Sequence, residues 1–174
     1  MDFEDTSQVC PICNKSGHMS DAVKPLYGHQ VCKKCANGFT NRREGAFLID
    51  IFLWYLSMTI FGLFVDLPQS ESSTLYISLI FWIIFFLKDG FSGYSPGKAI
   101  FGIQTFHEPS RKPAGFLASF KRNVIMIIPV IILFLVIDIK KGYRVGDSWA
   151  ETKVIWKKHK DKAPFELKNS PDDG

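Results

Sequence analysis

Two sets of residues in this 174-residue chain could do chemistry. The first is 10-CPIC-13, followed eighteen residues later by 32-CKKC-35. A Cys-x-x-Cys turn presents two thiolates at the angle a tetrahedral metal needs, and two such turns complete a four-ligand shell. Cys10, Cys13, Cys32 and Cys35 are all the cysteines in the chain. That arithmetic points to a metal in a reducing compartment rather than to disulfides. A closed four-thiolate shell predicts structural Zn2+, with a redox dithiol or an iron–sulfur cluster as the alternatives. His18 and His29 lie nearby but are not needed as ligands. The second set lies in 42-RREGAFLIDIFLW-54, where Arg43 leads into an apolar run that contains Asp50. Seven residues make almost two helical turns, so both side chains project from one face, about 10 Å apart along the axis. A direct pair between them would be stretched. Arg43 is expected to snorkel to the headgroups, leaving Asp50 to find another partner or stay protonated. Arg144 and Asp147, in 142-GYRVGDSWAETKVIW-156, are the expected source of that partner.

The elements that must position these residues are apolar. Hydrophobic residues make up 47% of the chain and gather in three blocks, 46–65, 73–87 and 123–139. A soluble core would instead spread apolar stripes along amphipathic elements. The first block is twenty residues, about 30 Å of helix and one hydrocarbon core. Its twelve Phe, Leu, Ile and Val residues contribute about −5 kcal/mol of insertion free energy, which outweighs about +3 for an Asp at mid-bilayer. An acid in that position is by default a functional-site hypothesis. The bland reading is that it only fixes packing. The third block carries Pro129 near its middle and is short for a crossing, so a kinked or re-entrant segment is expected there. Asp66, Asp89 and Asp138, at block ends, are expected to be solvated. Trp54 and Trp82 are expected to pack.

Charge sets the orientation. Four basic residues (33, 34, 42 and 43) precede the first block, the 66–72 connection has none, and six fall between Lys88 and Arg122. The positive-inside rule puts the cysteine module and the 88–122 loop in the cytoplasm. The nine Lys and Arg of 140–168 suit an anionic lipid surface rather than nucleic acid, and place the C-terminus inside as well. No cleaved signal pattern opens the chain. The loop 91–109 is expected along the interface, with Ser95 and Pro96 opening a helix. Its SPGK is not a phosphate loop, because Ser92 and Ala99 stand where that motif needs Gly and a hydroxyl residue. No enzyme is expected: His107 and His159 are isolated, and no open metal or nucleophile arrangement is visible.

The runs 43-REGAFLID-50, 95-SPGKAIFGIQTF-106 and 144-RVGDSWAETKVI-155 together resemble the RDD family of small integral membrane proteins. The matching positions are Arg43, Asp50, Gly97, Lys98, Gly102, Asp147, Ala150, Thr152 and Val154, and the resemblance covers roughly residues 42–157. Glu151 stands where a small residue is more typical, and the cysteine module is an addition to the family pattern. The resemblance implies a bacterial inner-membrane protein in which Arg43, Asp50 and Asp147 matter, with transport of small solutes, or sodium/proton exchange, among proposed roles. The expectation is therefore a mainly α fold. A zinc-ribbon or treble-clef-like module occupies 1–40, and a membrane domain of two or three segments occupies 41–157. A basic, disordered tail follows over 158–174. The function expected is ion or small-solute transport by a homo-oligomer, with Arg43, Asp50, Asp147 and Arg144 forming the ion or proton site. The alternative is a membrane-anchored adapter whose cysteine module binds a protein partner.

Overall fold

The structure, a computed structural model, describes residues 9–15, 23–65, 71–125 and 143–167. His18, Asp66, Asp138 and the third apolar block beyond residue 125 lie outside the described residues. The chain begins with a turn at residues 11–13 and a hairpin, β1 (Val23–Leu26) and β2 (His29–Cys32), paired antiparallel. The two-residue connection puts Tyr27 at φ 51° and Gly28 at φ 81°, the positive pair that a type I′ turn requires. Tyr27 accepts that conformation because its ring is buried and its hydroxyl donates to the Val154 carbonyl at 2.9 Å.

Helix α1 (Lys33–Phe64) starts directly from the hairpin, with Cys32 as its N-cap. Its buried residues are Ala36, Phe39, Arg43, Ala46 and Asp50. The alternating spacing of three and four is one stripe of a helix, so Arg43 and Asp50 do share a face. The rest of the helix turns Leu48, Phe52, Leu56, Ile60 and Leu63 outward. Among the described residues α1 is the one helix long and apolar enough to cross a membrane. Helix α2 (Glu71–Leu87) is a shorter apolar helix of 17 residues. Trp54 meets Trp82 at 4.7 Å with the rings tilted by 50° and donates its Nε1 hydrogen to the Phe81 carbonyl, so both tryptophans pack the two helices together.

Beyond α2 the chain folds back on α1. Helix α3 (Pro96–Phe101) opens on Ser95, whose side chain accepts from the Lys98 amide, and Gly102 closes it at φ 64°. Strand β3 (Ile103–His107) follows, then α4 (Phe116–Val124), α5 (Val145–Trp149) and β4 (Thr152–Trp156). β3 and β4 pair antiparallel, with Ile103 opposite Trp156 and His107 opposite Thr152. The fold is therefore mixed: five helices and two small antiparallel sheets among the described residues, where a mainly α chain was expected. The sheets are short and one of them joins distant strands, which leaves little local pattern to read.

One apolar core joins the two ends of the chain. Cys10, Ile12, Leu26, Tyr27, Val31 and Phe39 pack with Ile103, Val154, Ile155 and Phe165. The cysteine module is thus built on the same core as the β3–β4 sheet. The expected disorder from 158 onward does not hold for 158–167. Two 3₁₀ turns, Lys157–His159 and Ala163–Phe165, are held there because Phe165 is fully buried against Phe39 at 5.1 Å. Lys153 Nζ donates to the Glu166 carbonyl at 2.7 Å and fastens the same segment.

Candidate functional site: a buried charge cluster and a cysteine centre

Asp50 is 5% exposed and makes three polar contacts. It accepts from the Ser95 hydroxyl at 2.7 Å, the Gly97 amide at 2.8 Å and Lys88 Nζ at 3.0 Å. The expected partners of Asp50 were Arg144 and Asp147; its contacts are with Lys88, just past α2, and with the start of α3 instead. The cause is close helix packing. A Cβ on Gly97 would lie 2.0 Å from the Ala46 carbonyl oxygen, so glycine there lets α3 sit on α1 with its free amides facing the carboxylate.

Arg43 does not snorkel. It is 4% exposed and pairs with Asp147, which also accepts from the Arg144 amide at 3.0 Å. Its guanidinium lies 5.7 Å from the centre of the Phe39 ring. Burial between α1 and α5 gives Arg43 a carboxylate within reach and removes the need for headgroups. Asp147 has a second cation, Arg122, whose Nε lies 2.8 Å from Oδ1. The expected site residues Arg43, Asp147 and Arg144 do meet.

Asp89 was expected in solvent. It is 1% exposed, and Lys98 Nζ lies 2.6 Å from its Oδ2. Arg122 Nη1 lies 3.6 Å from the same oxygen. Lys98 and Arg122 both donate to the Thr105 hydroxyl, at 2.8 and 2.6 Å. The reason for its burial is α4. Ser119 accepts from the Asp89 amide and donates to the Phe86 carbonyl, and Asn123 donates to that carbonyl too. These bonds satisfy the end of α2 and close α4 over Asp89. The sequence reading missed Asp89, Lys88, Ser95 and Arg122 as members of the site. Lys98 was visible only as a family-pattern position.

Two of the carboxylates, Asp50 and Asp89, and five cations (Arg43, Lys88, Lys98, Arg122 and Arg144) line one cavity of about 20 Å³. That is room for about one water molecule. Arg122 links the Asp89 and Asp147 groups into one network. Asp89 Oδ1 and Arg144 Nε are buried without a hydrogen-bond partner, an arrangement that costs free energy unless something polar meets them. Burial opposes ionisation of Asp89, but Lys98 and Arg122 outweigh it and hold the carboxyl below the usual carboxylate range. Burial, and then the Arg122 charge, push Lys98 down to about 7 against the pull of Asp89. Burial and the Arg43 charge push Arg144 down to about 9. The cluster thus holds Asp89 as a charged carboxylate beside a lysine whose proton is held less tightly than usual.

The cysteines converge as their spacing predicts. All four sulfurs lie within 4.8 Å of one another, Cys13 Sγ and Cys32 Sγ at 3.9 Å. Zinc–sulfur bonds of about 2.3 Å in a tetrahedron place sulfurs about 3.8 Å apart, so the four could bind a metal ion. Burial opposes ionisation of Cys10, but the amides of Cys32, Cys13 and Ile12 outweigh it and bring the thiol down to about 6. Cys32 and Cys35 sit at the start of α1, where the helix dipole favours negative charge, but burial pushes both thiols above their ordinary value.

No curated protein and no solved structure matches this chain. The model of the RDD family matches residues 38–143, which takes in Arg43, Asp50, Asp89, Lys98 and Arg122 and stops before Asp147. With more than half of its length inside that match and a membrane-type helix at its start, the chain belongs to the RDD family.

Proposed function

We propose that this protein moves protons or small monatomic ions, using the buried cluster as the site that binds them. The observation that carries the reading is the cavity. Two carboxylates, Asp50 and Asp89, and five cations face a space large enough for one water, with a carboxylate oxygen and a guanidinium nitrogen left unpartnered beside it. Charged groups are costly at membrane depth and are retained where they bind ions or relay protons. A space of this size suits a proton, a water or a bare ion better than an organic solute. Asp50 and Asp89 are the binding carboxylates and Lys98 is the group that trades its proton. Arg43, Arg122 and Arg144 hold Asp147 as a fixed counter-charge. The two apolar helices among the described residues, α1 and α2, do not enclose a path alone, so further copies of the chain complete it.

In the same reading Cys10, Cys13, Cys32 and Cys35 hold structural Zn2+ in a treble-clef-like arrangement of turn, hairpin and helix start. The shared core of the hairpin and the β3–β4 sheet supports placing both on one side of the membrane, and the basic residues around them favour the cytoplasmic side. That shared core gives the adapter reading less support, since the cysteine module is not a separate unit free to dock. The test is flux in proteoliposomes, read with a pH-sensitive dye and a cation-sensitive dye. Flux above protein-free vesicles is expected, and Asp50→Asn and Asp89→Asn should each reduce it at least tenfold. Flux at the protein-free level, or full flux in both variants, overturns the reading.

A further inference from the structure

Helix α4 is inside out by the standards of a protein in water. Its buried residues are Ser119, Arg122 and Asn123, while Phe116, Leu117 and Phe120 are exposed, Leu117 by 70%. Helix α3 follows the same rule: Gly97 and Lys98 are buried, and Ile100 is 67% exposed. A surface helix in water turns its apolar stripe to the core and its charges out. Here the interior is the charge cluster, and among the described residues none covers the outer side of these apolar side chains.

This outer face continues the apolar face of α2. Phe120 meets Phe86 at 6.1 Å, and Phe116 meets Phe91 at 5.1 Å. Gly90 makes the junction, because a Cβ there would meet the Phe116 ring at 2.1 Å. From Ile80, Ile83 and Ile84 on α2 to Leu117 on α4 the exposed side chains are therefore one apolar surface. Lys121, at the edge of that surface on α4, is exposed and long enough to reach the headgroups.

We propose that α3 and α4 lie in the plane of the lipid leaflet, with Ile100, Phe116, Leu117 and Phe120 against acyl chains, so that the charge cluster sits beneath the membrane surface. The occupant is lipid because this face is continuous with the apolar helices of a membrane-family domain, and because a helix that hides Arg, Asn and Ser while showing Phe and Leu is at home only where the solvent is apolar. The segment 88–125 is then a part of the membrane domain and not an aqueous loop. The inference does not depend on the transport reading.

The unmodified full-length protein, in vesicles of phosphatidylcholine and phosphatidylglycerol, can be labelled with a lipid-soluble diazirine and mapped by peptide mass spectrometry. Labelling of 116–120 and of Ile100 is expected to match that of 75–84 on α2, several-fold above the β1–β2 hairpin. Labelling of 116–120 no higher than that of the hairpin overturns the proposal. So does protection of 116–120 that persists when protein is diluted with excess lipid, since another part of the chain then covers the face.

Discussion

Arg122 touches two carboxylates at once, Asp89 at 3.6 Å and Asp147 at 2.8 Å. A buried ion pair that loses one partner leaves an uncompensated charge, at about 3 kcal/mol or more. Asp89→Asn should therefore destabilise the folded protein by about 3 kcal/mol, seen as a lowered unfolding midpoint in detergent; an unchanged midpoint would show that Asp89 is not held as a charge. Lys98 supplies a second prediction. Its proton is held less tightly in the fold, at about 7, than in the unfolded chain, near the ordinary lysine value. Between pH 7 and about 10 the unfolded chain binds more protons, so stability rises with pH across that window. Thermal melts from pH 7 to 9.5 should move upward, and Lys98→Met should flatten the slope; a wild-type slope that is flat or falling contradicts the assignment. Arg43 and Asp50 could be read from the sequence because a charge inside an apolar run stands out. Asp89, Lys88 and Arg122 could not. They lie at the ends of apolar blocks, where solvation is the default, and only the closure of α4 over α2 buries them.

At the scale of elements, the contact that matters most is α3 on α1. Gly97→Ala would set a methyl group 2.0 Å from the Ala46 carbonyl and 2.9 Å from Asp50 Oδ1. Overpacking of this kind costs about 1–3 kcal/mol, and here it also lifts the α3 amides off Asp50. Loss of stability together with faster amide exchange at Gly97 and Lys98 is the expected outcome; normal exchange there would show that the two helices tolerate separation. The start of α3 was legible in Ser95 and Pro96, and the first apolar block in its length and composition. The strands were not. β3 and β4 are five residues each and find each other across forty-four intervening residues, a pairing that no local periodicity announces. The order of 158–167 was hidden for a similar reason: one aromatic residue, Phe165, anchors a segment whose composition is otherwise that of a solvated tail. Glu151, the departure from the family pattern, sits at φ 49° between α5 and β4, where a small residue such as glycine is the less strained choice.

Taken as a whole, the molecule joins a four-cysteine cluster directly to a helix long and apolar enough to cross a membrane. Removal of metal by a chelator should raise amide exchange across β1, β2 and the first turns of α1 by tenfold or more, while leaving α2 unchanged; uniform exchange before and after chelation would show that the cysteines hold no structural ion. The cysteine spacing made this centre legible, whereas its place in the common core came from Tyr27, whose hydroxyl reaches Val154 across 127 residues of sequence. The helix that begins at Lys33 runs unbroken to Phe64, about 48 Å, with Arg43 and Asp50 on the same stripe. The backbone that carries Cys35 is therefore continuous with the stripe that aims Arg43 at Asp147 and Asp50 at Gly97, so the seating of the sulfurs and the aim of both charges are set by one helix.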